Sequence, residues 1–478
     1  MNKVGNIAVS RKATVATGAL LFATIMICLS SCTIAPDEPD QLESSNDPKI
    51  ELVERIKDNP TDITAHADLM QMQKRSGDAK GARITVAHAI KYMPDDFRTW
   101  MIAAEFYRWQ NELLDAEKAL LKSRDLEPTR LEPRVALSGL YSNAYLEAEE
   151  LEQRELAIQL ADESVRPELQ LDLAYATVGL GKLERGKELA IALAANESAS
   201  DAARSRAHVL LVELSLRADD EPTAIQHALK AWRYQPRYQG LIQYCARLVT
   251  VVQNGSELAV VFKATLESLD RMEHRWAALF GLWSIDIQRS INADESLFGK
   301  AIEDYFKRLT EIDPAHPDVL SRRYQMLALD ESRESEFAAT QEALERLKLG
   351  LPPLVKTTTS LLSLWRAQDS LRMGAPNITL TEVDGLEVRQ PEIVELRLMR
   401  LLAMFRNRDD DACLSTIKEW MSESEEPDEF LQNMRWWIML RHGRAGEVLS
   451  DLNDSKDKPT NSSLWIKAVA KFQMYRES

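Results

Sequence analysis

Apolar residues in this chain recur three or four positions apart, a spacing that keeps them on one face of a helix. The pattern is clearest from Pro60 to Pro128. Three prolines, Pro60, Pro94 and Pro128, stand 34 residues apart there, and small apolar residues repeat at matching offsets, as Ala82 and Ala116 do. Each interval predicts two helices. Trp100, Ala104 and Tyr107 share one face of a first helix, and Ala116 lies on the inner face of the second. Small residues such as Ala104 and Ala116 let two helix axes approach closely, while the large ones fill the space beside them. Each proline ends the second helix, because it lacks an N–H and restrains its predecessor to extended geometry. One such pair cannot bury its apolar face alone, so several must stack.

These residues resemble the tetratricopeptide repeat, a helix–turn–helix unit of 34 residues. With Pro94 and Pro128 at position thirty-two, one repeat places Leu69 at seven, Gly77 at fifteen, Ala82 at twenty and Ala89 at twenty-seven. The next places Trp100 at four, Ala104 at eight, Tyr107 at eleven and Ala116 at twenty. The first departs at four and eleven, where His66 and Gln73 stand in place of aromatics, as expected of a terminal repeat. The resemblance implies an all-α solenoid of helical hairpins, a right-handed superhelix in which repeats touch only their neighbours. It also implies that the first helix of each pair lines a concave groove through positions two, five, nine, twelve and thirteen. Those positions hold Lys74 and Arg75, then Arg98, Met101, Glu105, Arg108 and Trp109, then Tyr175, then Arg206, Glu213 and Arg217. Basic and aromatic side chains there would suit an acidic or carboxylate-bearing peptide. The family's carboxylate-clamp subtype has Lys at five and Asn at nine. Here Ala67 and Gln71, or Met101 and Glu105, occupy those places, so capture of a chaperone C-terminus is not expected.

Repeats are expected over 49–236, with a longer turn (Asn143 to Glu150) in the third, and degenerate helical repeats over 237–349. Residues 350–391 are expected to be a helix with an irregular connector, since Gly374 to Pro391 mixes Ile378, Thr379, Leu380, Val383 and Val388 with Pro, Asn and Gly. Residues 392–478 return to helical repeats with a final capping helix. Tryptophans are dense in the last quarter, at 365, 420, 436, 437 and 465. They read as core filling, or as an exposed patch for a partner or a glycan.

The first 31 residues look like a bacterial lipoprotein signal. Lys3, Arg11 and Lys12 precede an apolar run from Ala13 to Leu29, and Leu29-Ser30-Ser31-Cys32 resembles a lipobox. In that family the cysteine is lipidated and becomes the new N-terminus, which makes Cys32 the expected attachment site. An uncleaved membrane anchor is the other reading of the run. Residues 32–48 read as a flexible acidic tether. Thr33, rather than Asp, is compatible with the outer membrane.

The net charge of −16 disfavours generic nucleic-acid binding. Seven scattered histidines show no metal-binding spacing, there is no phosphate-binding glycine loop, and no nucleophile motif is present. Neither metal nor cofactor is expected. Cys245 and Cys413 are expected as two separately buried thiols. The expectation is a non-enzymatic, membrane-tethered scaffold that offers its groove to a peptide or envelope protein, in envelope assembly, secretion or polymer export. The alternative is a surface lipoprotein that captures a glycan or small solute. The sequence names no partner and no oligomeric state.

Overall fold

Asp62, Asp78 and Asp96 each turn a side-chain oxygen onto a backbone N–H two or three residues ahead, at 2.9 Å, and a helix begins at each. Such caps satisfy donors that a helix start leaves unpaired. The computed structural model describes residues 48–268, 271–348, 350–423, 428–454 and 459–477. Among them are 24 α-helices and no strand.

The helices come as hairpins with one recurring turn. After Ile63–Arg75, Gly77 adopts the left-handed conformation and Asp78 N–H donates back to Gln73 C=O at 2.8 Å. After Phe97–Trp109, Asn111 does the same and Glu112 N–H reaches Tyr107 C=O at 2.8 Å. After Glu132–Asn143 it is Tyr145, with Leu146 N–H on Tyr141 C=O at 3.0 Å. The three left-handed residues are 34 apart. The bond closes orphan carbonyls at the helix end and sends the chain back antiparallel. The third turn is therefore no longer than the others, contrary to the sequence reading. Tyr145 gives no turn signal, yet it holds the position at which Gly and Asn stand earlier.

The same turn persists where the sequence period fades, at Asp219, Asp294, Gly374, Arg408 and Gly443. The backbone bonds Asp220 to Ser215, Glu295 to Ser290, Ala375 to Ser370, Asp409 to Met404 and Arg444 to Met439 accompany them. Gly374 and Arg408 are again 34 apart. The connector expected within 350–391 is thus a repeat turn followed by a second helix, Pro376–Arg389. Its β-branched residues are poor helix formers. Burial of Ile378, Thr379, Val383 and Leu386 along one face overrides that preference, and Pro376 starts the helix where a missing N–H costs nothing.

The chain divides into two compact units, and neither follows the expected boundaries: 181–418 forms one, and 48–180 joins 419–477 to form the other. The block expected at 392–478 is thereby split between them. In the discontinuous unit, Met70, Phe106, Leu120 and Leu137 share a core with Trp436, Met439, Ile466 and Phe472. Gln473 on the last helix, Asn461–Glu477, donates to Ala144 C=O at 2.8 Å and Leu440 C=O at 3.0 Å. Arg476 bonds Glu117 and Glu149 and lies over the Tyr141 ring. Tyr141 O–H donates to Glu117 at 2.9 Å, and burial with that carboxylate pushes the phenol up to about 12.

In 181–418, the helix Thr358–Arg372 packs against Gln239–Val251. Arg366 donates to Val251 C=O at 2.6 Å, Glu382 at 2.9 Å and Glu221 at 2.5 Å. Asn377 Nδ2 caps Asp201–Arg217 by donating to Leu216 and Arg217 C=O at 3.2 and 3.1 Å. Arg322 lies between the Phe280 and Trp365 rings and bonds Asp369. Buried cations require this kind of pairing. Each unit thus closes through distant segments, which corrects the expectation of repeats that touch only neighbours. Cys245 and Cys413 are both buried and neither forms a disulfide; the Cys413 thiol faces Leu401 C=O at 3.8 Å.

Candidate partner-binding strip

The repeat-defining alanines Ala82, Ala89, Ala104 and Ala116 are completely or almost completely buried, and Leu69 is buried with them. Tyr107 is half-buried, while Pro94 and Pro128 are exposed at the ends of second helices. Trp100 Nε1–H donates to Pro94 C=O at 2.7 Å, which ties position four of one repeat to the closing proline of the previous one. This packing commits the opposite faces of Ile63–Arg75 and Phe97–Trp109 to the outside.

Those faces form a ladder with 34-residue rungs. One rung is Gln71, Glu105 and Gly139; the next is Lys74, Arg108 and Ser142; the third begins with Arg75 and Trp109. Gln71 Nε2–H donates to Glu105 at 2.5 Å and Lys74 to the same carboxylate at 3.0 Å, so the first helices of successive hairpins are cross-linked. Arg75 is exposed and Arg108 half-buried, and neither side chain makes a hydrogen bond or ion pair among the described residues. Trp109 is half-buried, edge-on to Phe106 at 6.1 Å. At Gly139 a Cβ would meet nothing within 4 Å, so the strip is open above bare backbone there.

The other expected groove residues are placed differently. Arg98 is exposed but held by Asp96 through three hydrogen bonds to its carboxylate. That bond raises the guanidinium and lowers the carboxyl from their ordinary values, so Arg98 is not an open cation. Tyr175 is half-buried on Arg166–Gly179. Arg206 and Arg217 belong to the 181–418 unit. Arg206 is exposed, but Arg217 is an internal tie, donating to Gly374 C=O and Glu213 at 2.8 Å. Burial raises the Glu213 carboxyl.

No protein-family profile matches the chain, and no curated protein does. Solved structures do match. Naa15/Naa10 bound to HypK-THB is 14% identical over 96% of this chain and 73% of that one, at a TM-score of 0.30. A tetratricopeptide repeat protein from Parabacteroides merdae is 14% identical over 57% and 98%, at 0.35. The TPR domain of P58(IPK) is 11% identical over 87% and 99%, at 0.23. The recurring turn decides the architecture. This is a tetratricopeptide-type helical-repeat fold.

Within that repeat fold, the tryptophans of the last quarter offer no open aromatic platform. Trp365 and Trp436 are buried, and Trp420, Trp437 and Trp465 are half-buried. Trp365 donates to Gln325 at 2.7 Å, and Trp437 packs on Tyr145 at 5.6 Å. Among the described residues no group of three His, Cys, Asp or Glu could hold a metal ion. No described helix is long and apolar enough to cross a membrane, and Cys32 lies outside the described residues.

Sequence reasoning missed two histidine pairs. His66 Nε2 and His88 Nδ1 are 3.0 Å apart, as are His208 Nδ1 and His227 Nδ1. The available signal was positional: with Pro94 and Pro236 at thirty-two, His66 and His208 both occupy position four.

Proposed function

We propose that this protein is a non-enzymatic scaffold whose first repeats hold an extended, acidic segment of a protein partner. The observation that carries this reading is the pair of unpartnered guanidinium groups, Arg75 and Arg108, beside Trp109 on consecutive first helices. A guanidinium fork matches a carboxylate with two parallel hydrogen bonds, and a half-buried indole adds an apolar contact. The Gln71–Glu105–Lys74 bridge holds the two helices in register, so little freedom is lost on binding. The scaffold is lipid-anchored at Cys32 in a bacterial envelope, on the outer membrane facing the periplasm. Support comes from the lipobox-like Leu29–Cys32, from Thr33, and from an acidic tether able to span about 20–25 Å.

A fluorescent Glu-rich peptide tests the strip. Parent protein should bind it with an affinity that falls with salt, incompletely, because the Trp109 contact is not screened. The Arg75→Glu/Arg108→Glu variant should lose binding while keeping its helical circular dichroism. In-cell crosslinking should likewise recover a protein with parent that the variant fails to recover. Equal peptide binding by both folded proteins would refute the assignment of the strip.

A further inference from the structure

The His208–His227 pair joins the two helices of one hairpin, Asp201–Arg217 and Glu221–Tyr234. The Nδ1 atoms are 3.0 Å apart and the rings lie 5.2 Å apart with 30° between planes. Only one proton fits between two imidazole nitrogens at that distance, so one ring donates and the other accepts. A proton added to the accepting nitrogen sets N–H against N–H, and protonating both rings also sets two positive charges side by side.

The surroundings resist even the first added proton. Arg204 lies one turn before His208 and stacks on Tyr234 at 4.3 Å, and Tyr234 in turn stacks on His208 at 5.8 Å. Lys230 acts on both rings, and Lys187, from the preceding helix Leu183–Ala194, acts on His227. Asp220 alone favours the charged form of His227, and its carboxylate is already engaged as the cap on Thr223 N–H at 3.1 Å.

We propose that the His208–His227 pair is an acid-sensitive clasp, which holds its hairpin closed while neutral and loosens it once protons are forced onto the pair. Burial, then His227, Lys230 and Arg204, hold His208 down at about 4, and burial also lowers His227. The unfolded or open chain keeps histidine near its ordinary 6.5, so it binds protons first. Stability from the clasp is therefore complete above about pH 6.5 and is lost as pH falls from there toward about 4. The His66–His88 pair is the internal comparison. His66 Nδ1–H donates to Asp62 C=O at 2.8 Å, which makes its Nε2 the acceptor for His88, and the Tyr92 ring lies tilted against His88 at 4.4 Å. Burial, His66 and Lys91 lower His88. With Lys91 as the one cation acting on it, this pair should respond less.

Hydrogen exchange of the full chain, corrected for the intrinsic rate, reads the effect. Between pH 8 and pH 5 the opening equilibrium across residues 201–234 should rise on the order of ten-fold, and across 63–92 by less. The His208→Phe/His227→Leu variant should lose the rise over 201–234 and keep that over 63–92. His227→Gln, which retains a neutral hydrogen-bonding partner, should show a reduced rise. If both variants fail to fold, proton NMR of the parent decides: a His208 ring that titrates at or above 6 overturns the proposal. So does pH-independent exchange over 201–234, or an unchanged pH response in either folded variant.

Discussion

Replacing Gly281 by alanine should destabilise the protein, while the same change at Gly139 should stabilise it. Both glycines lie inside helices, Met272–Asn292 and Glu132–Asn143, where glycine is worse than alanine by about 1 kcal/mol. Their surroundings reverse the sign. A Cβ on Gly281 would lie 2.4, 2.5 and 2.6 Å from three ring atoms of Phe262. Carbon atoms rest about 3.5–4.0 Å apart, so ring or helix must move by roughly 1 Å. Phe262 is completely buried. Such overpacking costs about 1–3 kcal/mol. Less the propensity gain of about 1 kcal/mol, the net loss is up to about 2 kcal/mol. At Gly139 nothing lies within 4 Å, so only the gain of about 0.5–1 kcal/mol remains. Urea unfolding followed by hydrogen exchange in 259–292 and in 132–143 separates the two effects. A Gly281→Ala protein stabilised as much as the Gly139→Ala protein would refute the close approach of these helices. A destabilised Gly139→Ala protein would refute the open strip.

Other outcomes follow from the same structure. Gly139→Leu should keep or slightly raise the melting midpoint yet weaken the Glu-rich peptide several-fold, since the added side chain projects into the strip. Asn377→Ala should cost about 1–3 kcal/mol and raise exchange at the end of Asp201–Arg217, because Arg217 C=O loses the Asn377 donor and Leu216 C=O keeps only backbone donors such as Asp219 N–H. Trp436→Ala should cost about 3–5 kcal/mol and the half-buried Trp437→Ala less, as measured by urea unfolding. Cys32→Ala should leave a full-length, unlipidated protein by mass spectrometry; lipidation and cleavage persisting in that variant would remove the proposed anchor.

The hairpin was legible wherever local chemistry announced it. Gly77 and Asn111 tolerate a left-handed backbone, Asp62, Asp78 and Asp96 cap, and the buried alanines mark close helix contacts. At Tyr145 and Arg408 the same backbone conformation is imposed by packing, against a cost of about 1–2 kcal/mol, so no residue preference betrays it. The helix Pro376–Arg389 was hidden for a related reason: its stabilisation lies in the partners of Ile378 and Val383, not in its own propensities. Within the strip, the positions of Arg75, Arg108 and Trp109 followed from the repeat. The capture of Arg98 by Asp96 and of Arg217 by Gly374 did not, because periodicity gives a direction for a side chain and not its partner.

The bond from Gln473 to Ala144 joins residues 329 apart. A ribosome adding about 5–20 residues per second needs roughly 20–60 s to cover that distance. Throughout this interval the nascent hairpins of the first repeats exist without Ile466, Val469 and Phe472, which complete their core. The first segment made is thus among the last to be finished. Its uncovered apolar face is then open to the last helix of a neighbouring copy as well as to its own, so domain exchange between chains is the characteristic error of this topology. Dilution or slower initiation should suppress that error, whereas removing the last helix should make the exposed state permanent.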